Sequence, residues 1–118
     1  MRNTVTVAAA VALALGSAAP AEAAFKPCRP VVDIFDGTRY AGSDLYRIRA
    51  QGVSCTTARR VALRGTYRGV AGVPDPDGRV RVTYRSWTVI GDLRGDEDHY
   101  RALAPGRKRV RWIFGQLP

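Results

Sequence analysis

Residues 54–69 read Ser54-Cys55-Thr56-Thr57-Ala58-Arg59-Arg60-Val61-Ala62-Leu63-Arg64-Gly65-Thr66-Tyr67-Arg68-Gly69. The stretch opens on a serine, whose hydroxyl can accept a hydrogen bond from a first-turn N–H and so cap a helix. The 3.6-residue spacing predicts a helix from about Cys55 to Arg68, ended by Gly69 and Gly72. Ala58, Val61, Ala62, Gly65 and Gly69 fall on one stripe. All but Val61 are very small, so this helix can sit close to whatever it covers. Arg60, Arg64 and Arg68 fall at i, i+4 and i+8 on another face, where they meet solvent or a partner.

Downstream, Pro74-Asp75-Pro76-Asp77-Gly78 is a turn cluster. Its Asp-x-Asp-Gly lacks the further ligands and distal Glu of a calcium-binding loop, so it reads as a turn. Residues 79–90 read as one strand, with Val80, Val82 and Tyr84 alternating with Arg79, Arg81, Thr83 and Arg85; Trp87 falls in the arginine register. Residues 91–98 read as a polar turn. Residues 107–114 read as a second clear strand, where Val110, Trp112 and Phe114 alternate with Arg109, Arg111 and Ile113. One apolar and one arginine-rich side mark an antiparallel sheet with one face on the core and one in water. The small-residue helix is the natural cover for the apolar face. The expected fold class is therefore α+β: a small antiparallel sheet covered by one main helix, with strand order open.

Upstream, residues 31–35 (Val-Val-Asp-Ile-Phe) read as a strand before an Asp36-Gly37 turn. Residues 44–53 fit a strand, with Tyr46, Ile48 and Ala50 alternating with Arg47, Arg49 and Gln51. A short helix capped by Ser43 and ended by Gly52 is the other reading. Residues 1–23 have the three parts of a secretory signal: Arg2, an apolar run from Val5 to Leu15, then Ala21-Glu22-Ala23 with small residues at the two positions a signal peptidase reads. Cleavage is expected after Ala23, leaving residues 24–118 as a single small basic domain. The apolar run is about half the roughly 20 residues that span a bilayer. No stable membrane span is expected in the mature chain, and the expected localisation is secreted, extracellular.

In an exported chain, two cysteines, Cys28 and Cys55, point to a disulfide. Closing a loop of that length corresponds to roughly 3 to 4 kcal/mol of chain entropy. Metal ligation by these thiols would lack CxxC spacing and have only His99 as a partner.

The net charge is +9, and the leader carries one Arg and one Glu, so cleavage leaves it unchanged. Lys26 and Lys108 are the only lysines; the rest of the positive charge is arginine. Arginine forks match phosphate, sulfate and carboxylate groups, although a GC-rich genome also favours arginine codons. On the expected sheet Arg79, Arg81, Arg85, Arg109 and Arg111 share one side with Trp87. That makes a candidate platform for polyanions, in which guanidinium groups neutralise charge and the indole stacks on bases or sugars. A solvated outer face explains the same pattern. Asp92, Asp96, Glu97, Asp98 and His99 form an acidic cluster without a recognised metal spacing. With one histidine, no GxSxG and no nucleotide or heme motif, no catalytic residue, metal site or cofactor is expected. Asp33, Asp36 and Asp44 are the carboxylates left for any paired-acid chemistry.

The run from Ile48 to Val61, with its Gly52-Val53-Ser54-Cys55 and Ala58-Arg59, resembles small secreted proteins of actinobacteria and related high-GC bacteria. There a strand leads through Gly-Val-Ser-Cys into a helix, and a Val-x-Trp strand, here Val110-Arg111-Trp112, closes the chain. The resemblance implies export, the disulfide and the fold, and assigns no functional residue. Many of those proteins carry a second cysteine pair near the closing hairpin, which this chain lacks. The expected function is that of a non-enzymatic exported protein that binds an anionic polymer or acidic protein through its arginine face. The alternative is a small protein-binding module, such as an inhibitor of a secreted enzyme, using an exposed rigid loop at 72–78 or 91–98.

Overall fold

The computed structural model describes residues 24–37 and 42–118, so the expected leader lies outside the described residues. Strands β1 (Lys26–Cys28), β2 (Asp44–Gln51), β3 (Arg79–Tyr84), β4 (Trp87–Asp92), β5 (Asp98–Ala104) and β6 (Lys108–Gly115) form one antiparallel sheet in the order β1-β2-β6-β5-β4-β3. Helix α1 (Cys55–Ala71) follows β2 and packs across one face. The expected α+β architecture is what the chain adopts.

Ser54 caps α1 as expected: its Oγ accepts from Thr57 N at 3.2 Å. The helix runs on to Ala71, where the Gly72 N–H closes it by reaching back to the Gly69 carbonyl. The predicted stripe, Ala58, Val61, Ala62, Gly65 and Gly69, is buried throughout. Its small size is what the packing requires. A Cβ on Gly65 would stand 3.1 Å from the Trp112 ring, and one on Gly69 would meet the Tyr100 hydroxyl at 2.6 Å. Tyr100 also abuts Gly91 from the other side and stacks on Trp112, with ring centroids 5.3 Å apart and planes 5° from parallel. The Trp112 Nε1–H donates to the buried Thr66 Oγ1 at 2.8 Å, so the one polar group of that indole is satisfied in the core.

Cys28 and Cys55 form the expected disulfide, with Cα atoms 5.4 Å apart and a sequence separation of 27. It ties the three-residue edge strand β1 to the first residue of α1. The opposite edge, β3, is bonded at its two ends. Asp75 accepts from Arg79 N through Oδ1 and donates its own N–H to the Arg79 carbonyl, while Arg68 donates to the Thr83 carbonyl. Edge groups that are already bonded offer little to a foreign strand.

Three expectations about the strands change. Residues 31–35 are not a strand. Only Val31 bridges to Leu45, and Asp33 takes a left-handed φ of 55°. Its N–H donates to Asp44 Oδ1, while Asp44 Oδ2 accepts from Leu117 N. Phe35 instead packs against Tyr67 and Phe114. Residues 79–90 are not one strand but a hairpin turning at Arg85 and Ser86, with Tyr84 opposite Trp87. Residues 91–98, expected as a polar turn, contain the end of β4 and the start of β5, a further strand. The ambiguous 44–53 segment is a strand to Gln51. A bulge at Arg47 (φ 51°) shifts its register, so that Leu45 and Ile48 both reach the core.

Candidate anion-binding site

The face of the sheet away from α1 is laid out by strand register in three rows. The first runs Tyr46, Ile113, His99, Asp92, Arg79 across β2, β6, β5, β4 and β3. The second runs Arg49, Arg111, Arg101, Ile90, Arg81, and the third Gln51, Arg109, Leu103, Thr88, Thr83. The face hollows into an open groove of about 950 Å³, lined among others by Arg47, Arg49, Arg79, Arg81, Arg101, Arg109 and Arg111. That volume is at the upper end of what small-ligand sites use.

The second row is electrostatically unusual. Arg111 stands directly opposite Arg49 on one side and Arg101 on the other. Directly opposed like charges destabilise a sheet, by about 0.2–1 kcal/mol per pair on the usual scale of cross-strand effects. The one carboxylate in the rows, Asp92, does not offset them. It is held by Arg94, whose Nε and Nη2 donate to its two oxygens at 2.8 and 2.7 Å. Those bonds, joined by the Arg94 backbone N–H, hold the Asp92 carboxyl well below the usual carboxylate range. Asp98, by contrast, is pushed up by burial. Arg111 is held from a third side, because its Cζ lies 4.2 Å from the centre of the Phe25 ring. Phe25 precedes β1, so the disulfide-tied edge strand brings an aromatic ring to the rim of the groove.

Of the residues expected to form the platform, Arg79, Arg81, Arg109 and Arg111 line the groove. Arg85 and Trp87 do not, and their placement corrects the expectation. Arg85 occupies the β3–β4 turn with φ 54° and lies 5.5 Å from the Tyr84 ring centre. Trp87 is buried in the core at 7 % exposure. A two-residue turn puts the residues that flank it on the same side of the sheet, so Trp87 shares the core side with Tyr84 rather than the arginine side. Without Trp87 the groove has no exposed indole for stacking on bases. Arg47, Arg49 and Arg101 were missed. Arg49 was visible in the alternation of residues 46–51, and Arg101 disappeared with the unrecognised strand β5.

The other candidate groups are occupied or dispersed. Asp33 and Asp44 bond backbone N–H groups of Gly42, Asp33 and Leu117. Among the described residues no cluster of three His, Cys, Asp or Glu is placed to hold a metal ion, and no helix is long and apolar enough to cross a membrane. The helix arginines Arg64 and Arg68 lie with Tyr67, Tyr84 and Arg85 in a shallower depression. No protein-family model, curated protein or solved structure matches the chain.

Proposed function

We propose that the protein is exported, with residues 1–23 removed, and acts without catalysis by binding an anionic partner in the arginine-lined groove. The observation that carries this reading is the Arg49–Arg111–Arg101 row, three guanidinium side chains on adjacent strands with no carboxylate among them. Such a row is unfavourable in the free protein and becomes favourable when a multivalent anion enters. The disulfide fits an oxidising compartment outside the cytoplasm. The partner class is an anionic polymer or an acidic protein surface.

The test is binding of the oxidised protein to anionic polymers across a salt series, beside an Arg49→Gln/Arg101→Gln/Arg111→Gln variant. Each phosphate neutralised adds roughly 0.7–0.9 to the slope of log affinity against log salt. The triple variant is expected to lower that slope by about 2 to 3. An unchanged slope and affinity would remove the groove from consideration. Amino-terminal sequencing of protein recovered from the medium checks the export half; a first residue of Ala24 is expected.

A second reading, a protein-binding module such as an inhibitor of a secreted enzyme, is favoured by one observation. Val73 is 90 % exposed at the start of the 72–78 loop, which Asp75 braces by accepting from Asp77 N, Arg79 N and Gly78 N. Salt-insensitive capture of one defined protein, lost in Val73→Asp, would place this reading first.

A further inference from the structure

Within the groove, the three central arginines do more than add charge. Neighbouring strands lie about 4.8 Å apart, so Arg49, Arg111 and Arg101 rise from three successive strands within about 10 Å. Arg111 sits in the middle, with its guanidinium over the Phe25 ring at 4.2 Å. Stacking occupies the flat faces of a guanidinium and leaves its in-plane N–H groups free to donate. The flanking positions on the open face are Ile113 and Arg109 along β6, His99 and Leu103 along β5, Gln51 along β2, and Ile90 beside Arg101 on β4. None of these is acidic, and among the described residues the one carboxylate in the three open-face rows, Asp92, is bonded to Arg94.

We infer that Arg49, Arg111 and Arg101 form a subsite for one tetrahedral phosphate group of the bound partner, with Arg111 its central donor and Phe25 the residue that positions Arg111. This deepens the anion-binding reading and rests on it. A phosphate group presents oxygens in several directions and can accept from forks approaching from three strands at once. A carboxylate is planar, has two oxygens, and is satisfied by one or two forks. Trp87 is buried and the Phe25 ring at the rim is engaged by Arg111, so recognition falls on the phosphate rather than on an attached base.

The experiment is isothermal titration of the protein, expressed from the full 118-residue chain and with Cys28–Cys55 oxidised, with two probes at equal ionic strength. The probes are tripolyphosphate and propane-1,2,3-tricarboxylate. The phosphate probe is expected to bind at least about tenfold tighter, as charge-assisted forks to a tetrahedral anion would give. Arg111→Gln should weaken it about 10- to 100-fold, the equivalent of one lost charge-assisted bond. Arg111→Lys should stay within about threefold of Arg111→Gln, since an ammonium is a point charge and not a fork. Phe25→Ala should weaken binding about two- to fivefold, the scale of an exposed cation–π contact. Arg60→Gln, on the helix and outside the groove, removes the same charge and should leave binding within about twofold. Near-UV circular dichroism confirms that each variant is folded. Equal affinity for the two probes, or recovery by Arg111→Lys, overturns the subsite. If neither probe binds while anionic polymers still bind with a steep salt slope, the subsite fails and the polyanion reading stands. If no anionic polymer binds either, both fail.

Discussion

The two faces of this sheet are built from the same strands, with side chains pointing alternately one way and the other, yet they obey opposite rules. On the covered face the fit is close. Gly65 and Gly69 make room for Trp112 and Tyr100, and the Trp112 indole N–H finds Thr66. On the open face three arginines face one another across adjacent strands, and the one carboxylate in those rows, Asp92, is held by Arg94. The covered face is arranged for the stability of the chain by itself. The open face carries directly opposed like charges, which work against that stability.

The largest effects are expected on the covered face. Trp112→Ala removes a fully buried ring, its stack on Tyr100 and its bond to Thr66. It should destabilise the fold by about 3–5 kcal/mol. That is a large part of the stability of a small domain, and it would appear as a lower urea midpoint or as failure to fold. Replacing both cysteines by serine should remove about 3–4 kcal/mol if loop closure in the unfolded chain accounts for the effect. It should also loosen β1 and with it the contact of Phe25 with Arg111. Gly69→Ala is the sharper probe. In an exposed helix the change to alanine stabilises by roughly 1 kcal/mol. Here the new Cβ would press on a Tyr100 ring that Gly91 and Trp112 already confine. The expected outcome is a net loss of about 1–3 kcal/mol. A gain would show that the helix has slack above the sheet.

A smaller effect should follow pH. Burial raises the pKa of Asp98, so its folded form binds a proton more readily than its unfolded form. Ionised Asp98 therefore detracts from stability at neutral pH. That penalty disappears as pH falls through the raised folded value towards the ordinary 3.8. Asp92 has the opposite sign. Its lowered pKa contributes stability that is present above 3.8 and is lost as pH falls further. Asp98→Asn should raise the urea midpoint slightly at pH 7 and have no effect near pH 3.

Much of this architecture was legible in the sequence. Ser54, the small stripe of α1 and the alternation of residues 109–114 each state a period or a cap that local chemistry enforces. The parts that were not legible share a cause: the deciding residues lacked the usual signals. Arg85 and Ser86 turn the chain without Gly, Asn or Pro, and reading through them carried Trp87 to the wrong face. Strand β5 begins in an acidic run and uses two alanines, Ala102 and Ala104, on its core side, a weak hydrophobic period. Arg47 inserts one extra residue into β2, which breaks the alternation that would have shown Leu45 and Ile48 together. The arginine face was therefore visible from its β3 and β6 members. Its centre, where Arg111 meets Arg49 and Arg101, depends on a pairing order that periodicity cannot supply.

Under the proposed function the open-face arginines serve a partner rather than the fold. The most direct test measures the urea midpoint and the salt-dependent affinity for an anionic polymer on the same Arg49→Gln/Arg101→Gln/Arg111→Gln protein. Relief of two opposed like-charge pairs predicts a stability unchanged or higher by up to about 1–2 kcal/mol. Affinity should fall by about 100-fold or more. A variant that is clearly less stable yet binds the polymer as the parent does would contradict the claim and return these arginines to the fold.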